Sequence, residues 1–166
     1  MGKVLTAFRN GYPGAISRAV DDIVISLANA GAEDIPFGAP IFLSADRKGV
    51  VPFSTDSPQD YSSFVGFAVR SAAKTPDTYP GGAFADPPRA AWKPGDPVDI
   101  LVRGCIALAV TSVGQRGGNL YIVKADGKLT PSAGEEGTTV LLENVKIRTP
   151  KDASGCCEAV VTERKL

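Results

Sequence analysis

Residues 92–110, WKPGDPVDILVRGCIALAV, constrain the fold of this chain more than any other stretch. Pro94, Gly95 and Asp96 signal a turn, because proline presets φ and glycine accepts the positive φ of a tight reversal. After it Val98, Ile100 and Val102 alternate with Asp99, Leu101 and Arg103, the period of two that marks a half-buried strand. Gly104 interrupts, and residues 105–110 resume as a nearly continuous apolar run, as in a strand covered on both faces. Two strands meeting at a glycine corner turn the chain of a small barrel or sandwich without a full loop. The stretch therefore reads as the central hairpin or bent strand of an all-β domain.

The remaining sequence agrees with that class. Eighteen glycines and 13 prolines imply many short elements joined by turns. Residues 1–20 place Gly11, Pro13 and Gly14 within four positions, which blocks a regular element and reads as an extended arm. Phe8, Tyr12 and Ile16 are its candidate anchors. Such an arm packs across its own barrel or reaches a neighbouring subunit. Residues 23–27 (IVISL) are apolar and β-branched and predict a short strand, with a turn at 29–32. Pro36 and Pro40 exclude a helix interior, and residues 41–43 and 50–53 pair about the turn Asp46-Arg47-Lys48-Gly49. Residues 54–63 are polar, with room for one helical turn, and 64–70 (FVGFAVR) predict a strand with a bulge at Gly66. Residues 74–91 hold Pro76, Pro80, Pro87 and Pro88 and form the longest irregular stretch, a length that is either functional or mobile. Strands follow at 120–124, 140–148 and 159–162, with a hairpin turn at Asp126-Gly127 and a long hairpin loop between the last two.

The sum is eight to ten short strands and no convincing amphipathic helix. The expected fold is all-β, a jelly-roll-like β-barrel or sandwich that hides its strand edges. An extended N-terminal arm at 1–20 precedes a single domain at 21–166.

Lys plus Arg (18) equals Asp plus Glu (18), so no global field draws the chain to nucleic acid or to an anionic membrane. Residues 1–20 carry three basic residues and no acid, whereas 21–63 hold seven acids against Arg47 and Lys48; the simpler reading is a solvated face. No run approaches the ~20 apolar residues of a membrane helix, and the N-terminus lacks the apolar core of a signal peptide. The start MGKVLT fits the permissive myristoylation pattern, with no second membrane signal beside it. The chain reads as soluble and intracellular at synthesis.

There is no histidine, which removes the commonest general base, proton shuttle and metal ligand together. Cys105, Cys156 and Cys157 form an odd set without C-x-x-C spacing, and sequence neighbours bridge poorly, so reduced thiols in a cytosolic setting are expected. A zinc site is not expected. Asp21-Asp22 and Glu135-Glu136 lack the spacing of a calcium loop and read as solvated acids. No nucleophile elbow is present; an enzyme would need an unrecognised carboxylate pair, and none is expected, nor any cofactor. Residues 114–118 (GQRGG) lack the Walker lysine and a strand-to-helix setting, and read as a hairpin loop. Trp92 is either an exposed contact residue or the cap of a barrel end. Cys105 reads as a small core residue.

Three blocks in order carry a family resemblance: GYPGAI at 11–16, DIPFGAPI at 34–41, and FVGFAVR at 64–70 followed by KPGDPVDILVRGCIAL at 93–108. Pro13-Gly14, Ile35-Pro36-Phe37-Gly38, Val65-Gly66-Phe67-Ala68 and Pro94-Gly95-Asp96 fill the pattern, which resembles the structural cement, or capsid decoration, proteins of tailed bacteriophages. The resemblance implies a jelly-roll-like protein that binds the outer surface of an assembled icosahedral head and bridges major capsid subunits without any chemistry. It implies as partners the major capsid protein and further copies of the chain, as dimer or trimer, with no nucleic acid and no membrane. It implies a place in the virion after synthesis in the host bacterial cytoplasm. The contact candidates are Phe8, Arg9, Tyr12, Pro13 and Gly14 of the arm, Tyr79 and Phe84 of the irregular stretch, and Trp92. The alternative from another class is a cytoplasmic ligand-binding or adaptor β-barrel, with the loops around Trp92 and Gly117 holding a small molecule.

Overall fold

The computed structural model describes residues 9–56, 58–71 and 91–162. They form eleven strands and one 3-10 turn (Tyr61–Ser63). The strands are β1 (Ile16–Ala28), β2 (Ile35–Pro36), β3 (Pro40–Leu43), β4 (Val50–Pro52), β5 (Phe64–Ala68), β6 (Ala91–Trp92), β7 (Pro97–Ala109), β8 (Asn119–Val123), β9 (Leu129–Thr130), β10 (Thr139–Ile147) and β11 (Cys156–Val161). The protein is all-β, and its main sheet curls into a half-barrel.

Residues 97–109 form one bent strand, not a hairpin. Its pairing explains why a single strand suffices. Antiparallel β5 takes the part before Gly104, at Ile100 and Leu101, and β11 takes Gly104 to Ala109. Strand β1 pairs with both parts. From this axis the sheet runs β4-β3-β5-β7-β11-β10-β8-β9. Just beyond β1, Asn29 bridges to Val50 of β4 and the Ala30 N–H donates to the Val50 carbonyl, so the circuit β1-β7-β5-β3-β4 returns to its start. The short pair β2-β6 is a sheet of its own.

Gly104 has φ +127°, a region that L side chains rarely enter. The bend changes which side chains face which core. Before it, Val98 and Ile100 enter a cluster with Ile35, Phe37, Ile41 and Trp92. After it, residues of the same parity, Ile106 and Leu108, enter the other cluster, with Phe42, Phe64, Phe67 and Leu142. A one-residue irregularity inverts a strand's two faces, because the side-chain period is two. Strand β5 uses the same device. Its register against β3 slips between Gly66 and Phe64, so Phe64 and Phe67, three residues apart, share one core while Val65 and Ala68 fill the other. The bulge expected at Gly66 thus lies where the sequence put it.

Opposite Gly104, β1 carries four residues, 19–22, between the pairs Arg18–Cys105 and Ile23–Arg103. The Asp22 carboxylate rests where a Cβ of residue 104 would stand, and among the described residues its buried Oδ1 has no hydrogen-bond partner. Strand β1 starts at Ile16, so residues 16–20 lie within it, and the short strand expected at 23–27 is its C-terminal half. Of the irregular stretch expected at 74–91, residues 74–90 lie outside the described residues and Ala91 instead opens β6, where its backbone pairs with Pro36. The hairpin about Arg47 (φ +57°), the 3-10 turn, and β8, β9 and β10 with their Asp126-Gly127 turn are all present.

Gly104→Ala meets both an unfavourable φ and the Asp22 carboxylate, whereas Gly95→Ala at φ +83° meets open space. The first is expected to cost about 3 kcal/mol and the second about 1 kcal/mol, measured by urea unfolding. Equal costs would mean that the close approach at Gly104 contributes nothing.

Candidate functional site

The sequence blocks at 11–16, 34–41 and 64–70 meet at one seam. Gly14 and Gly38 lie back to back: a Cβ on Gly14 would stand 2.8 Å from the Gly38 nitrogen and 2.9 Å from the Ala68 carbonyl oxygen. Both have positive φ, +80° and +76°. Only glycine lets the two backbones approach so closely. Main-chain hydrogen bonds then stitch the blocks together. Gly14 N–H donates to the Ala107 carbonyl (2.9 Å), Arg70 N–H to the Gly14 carbonyl (2.7 Å) and Gly38 N–H to the Ala68 carbonyl (2.8 Å).

Over this seam runs a row of rings and one cation. The Arg70 guanidinium carbon is 5.2 Å from the Tyr12 ring centroid and 5.4 Å from that of Phe37. Phe37 meets Trp92 edge to face at 6.2 Å. The Trp92 Nε1–H donates to the Val69 carbonyl at 3.1 Å, which satisfies the indole's one donor. The row passes from buried to exposed: Trp92 is 4% exposed and Tyr12 54%. A guanidinium held between two rings keeps its charge and is presented at a fixed height. Beside the seam lies an apolar hollow of about 440 Å³ between Pro13, Phe37, Pro40, Val110 and Leu129. The seam offers shape, apolar surface and one positive charge, which is chemistry for recognition.

The arm root is tied down from the other side by residues 149–158. Asn10 donates its backbone N–H to Asp152 Oδ2 (2.6 Å) and its side-chain amide to the carbonyls of Pro150 and Cys156, and it accepts from Thr149 Oγ1. Farther along, Ser17 Oγ (2.7 Å) and Arg18 Nε (2.9 Å) donate to Glu158 Oε1, with Arg148 Nε 3.7 Å from Oε2. Burial pushes the Glu158 carboxyl up. The bonds from Ser17 and Arg18 and the charges of Arg18 and Arg148 outweigh it and hold the group below its ordinary value. At Asp152 burial again raises, and bonds from Ser154 and from the N–H groups of Asn10 and Cys156 prevail.

Elsewhere Asp21 is engaged in an ion pair and the three thiols are buried. Arg103 bonds Asp21 through Nε (3.0 Å) and Nη2 (2.5 Å), at the rim of a hollow of about 700 Å³ that Arg18, Asp22 and Arg148 also line. The three cysteines are free thiols and buried. Burial raises Cys156, and raises Cys157 to about 11, so neither is an active nucleophile at neutral pH. Among the described residues no group of three His, Cys, Asp or Glu side chains is placed to hold a metal ion.

Of the contact candidates, the structure brings Tyr12, Pro13, Gly14 and Trp92 to the seam, Trp92 as its buried end. Arg9 is exposed at the start of the described chain. Phe8, Tyr79 and Phe84 lie outside the described residues. Trp92 belongs to one core, while the Gly117 N–H bonds the Ile147 carbonyl beside the other, so the two loops of the ligand-binding alternative sit in different parts of the fold. Sequence reasoning missed Arg70, Phe37, Asn10, Asp152 and Glu158 as site residues. The first two stood inside quoted blocks; the others act through pairs some 140 positions apart, which no local signal reveals.

Both carboxyls of the tie are depressed, so its stabilisation is present above their unfolded values, about 4.5 for Glu158 and 3.8 for Asp152, and is lost as pH falls through the lower folded values. The arm root is expected to loosen below about pH 4 while the sheet persists, because the buried side chains of the core contribute about 1.5–3 kcal/mol each and the tie's hydrogen bonds about 1 kcal/mol each. Hydrogen exchange at Asn10 and Arg70 against pH checks it; exchange that rises there only when the whole sheet opens contradicts it.

The sequence model of the family described as "Structural cement protein (E217 gp24/Pam3 gp6)" matches residues 3–162. No curated protein matches the chain. Four chains of solved structures match it. One, from "The capsid of Myoviridae Phage XM1", superposes with a TM-score of 0.69 over 95% of this chain and 94% of that one, at 12% identity. At that identity the likeness establishes a shared fold.

Proposed function

The chain belongs to the structural cement protein family, and from that premise we propose that it binds the outer surface of an assembled bacteriophage head and bridges its major capsid subunits. The observation that carries this reading is the family match over residues 3–162. A fold shared end to end with a chain from a Myoviridae phage capsid supports it. The place of action is the virion, and the work is binding without chemistry.

A ligand that binds only the assembled shell stabilises it by mass action. Copies that act as dimers or trimers across one shell add avidity without any stronger single contact. The seam suits such a role, because Tyr12 is exposed and Arg70 holds it from behind. Residues on the N-terminal side of the seam, Phe8 and Arg9 among them, and the stretch with Tyr79 and Phe84 are the further contacts of this proposal.

Tyr12→Ala and Arg70→Ala are each expected to weaken binding to shells stripped of the chain by roughly 5- to 30-fold, the range of an interface anchor worth about 1–2 kcal/mol. Val113→Ala, at a side chain 71% exposed elsewhere, serves as the control and is expected to bind as the parent does. Far-UV circular dichroism should be unchanged in all three. Full-strength binding by the double variant would remove the seam from the contact surface.

A further inference from the structure

Arg70 stands half-buried with its guanidinium between the rings of Tyr12 and Phe37, and among the described residues no carboxylate or carbonyl accepts a hydrogen bond from that guanidinium. The rings attract its charge through their π-electrons but offer no lone pair, so its fork of N–H donors is left for another acceptor. Arg18, Arg103 and Arg148 differ, because each reaches a carboxylate of this chain, Glu158 or Asp21. Phe37 also lines the apolar hollow of about 440 Å³ beside the seam, so the cation and the hollow share a wall. Among the described residues that line this hollow none is acidic, and Lys128 is basic. Thr111, another lining residue, takes the Lys151 ammonium on its carbonyl at 3.0 Å. The acids next to these lysines are already engaged. Asp126 pairs with Lys128 at 2.8 Å, and Asp152 accepts from the N–H groups of Asn10, Ser154 and Cys156.

We propose that the seam receives a segment of a protein partner on which an apolar side chain stands beside a carboxylate, the apolar group filling the hollow and the carboxylate meeting the Arg70 guanidinium. The occupant follows from what the site lacks. A partner that covers the guanidinium strips water from its donors and must bring an acceptor, or the covered donors cost more than the contact gains. A carboxylate matches the planar fork with two parallel hydrogen bonds and opposes its charge. The hollow selects for the other half of the segment, because walls of Pro13, Phe37, Val110 and Leu129 gain from apolar surface. A nucleic acid or a free phosphate would answer the cation and leave the hollow empty. An uncharged apolar segment would fill the hollow and strand the cation. The inference rests on the reading of the seam as a shell contact, and it adds the chemistry that the shell presents there.

The test compares shells stripped of the chain with the same shells after their surface carboxyls have been amidated by carbodiimide and ammonia, both shown intact by electron microscopy. On untreated shells the parent chain is expected to bind about tenfold more tightly than Arg70→Gln, and on amidated shells that ratio is expected to fall below about threefold, because the two changes remove one contact. Ala109→Leu, at an exposed position on the wall of the hollow, is expected to weaken binding about fivefold by filling the space the partner needs. Arg116→Gln, at an exposed arginine of the 114–118 loop, is expected to bind as the parent does. Far-UV circular dichroism should be unchanged in all three variants. A ratio that amidation leaves unchanged, Arg70→Gln that binds untreated shells as tightly as the parent, or Ala109→Leu that does so would each overturn the proposal and leave the cement role standing. A parent chain that fails to bind untreated shells would remove the cement role itself, and this contact with it.

Discussion

The fold depends on the absence of a side chain at residue 104. With φ +127° and the Asp22 carboxylate resting on its α-carbon, Gly104 lets one strand bend, change the core that each face serves, and pair with β5 before the bend and β11 after it. Every other strand of the main sheet is reached from β7 through those two or through β1. The bend has a cost as well as a use. It leaves a buried carboxylate oxygen without a hydrogen-bond donor among the described residues, a burden of about 1–3 kcal/mol. The two cores joined across the bend, each with several fully buried Ile, Leu or Phe side chains, offset it many times over.

A second close approach, Gly14 against Gly38, links that frame to the surface. It brings the arm root within hydrogen-bonding distance of both Ala107 on β7 and Arg70 after β5. The path of the chain through Gly14 is therefore fixed by backbone contact, with Tyr12, Arg70 and Phe37 packed over the joint. Asp152 and Glu158 secure the same segment from the opposite side. A binding protein gains from a surface held in this way, because groups already fixed lose less freedom when they meet a partner.

Much of this was legible in the sequence, and the reasons differ by element. Residues 41–43, 50–53, 64–70, 120–124 and 140–148 announced strands because their alternation or β-branching is local, and turns of known chemistry bound them. The bend in β7 was legible because a glycine broke a two-residue period. The first half of β1 was not. Ser17, Arg18, Asp21 and Asp22 carry no apolar alternation, and they enter a strand only because β7 and Glu158, far along the chain, receive them. Strand β11 begins three residues before its expected start for a similar reason, since Cys156 and Cys157 are strand residues only through their pairing with Ala109 and Leu108. For the site, the glycines and Tyr12 stood out by residue type, whereas the stacking of Arg70 between two rings is a property of three segments together. Trp92 showed the limit of reasoning by type. An indole beside a turn suits contact or core equally, and the partner at Val69 that places it in the core is twenty-three positions away.

The central claim, that the chain stabilises an assembled shell, is tested most directly by heating. Capsid shells stripped of the chain would be melted alone and with increasing amounts of it, beside unassembled capsid subunits treated in the same way. The account predicts that the shell transition rises and then saturates at a fixed number of copies per shell, while the unassembled subunits melt as before. A shell transition that stays in place under saturating chain, or an equal rise for the unassembled subunits, would contradict it.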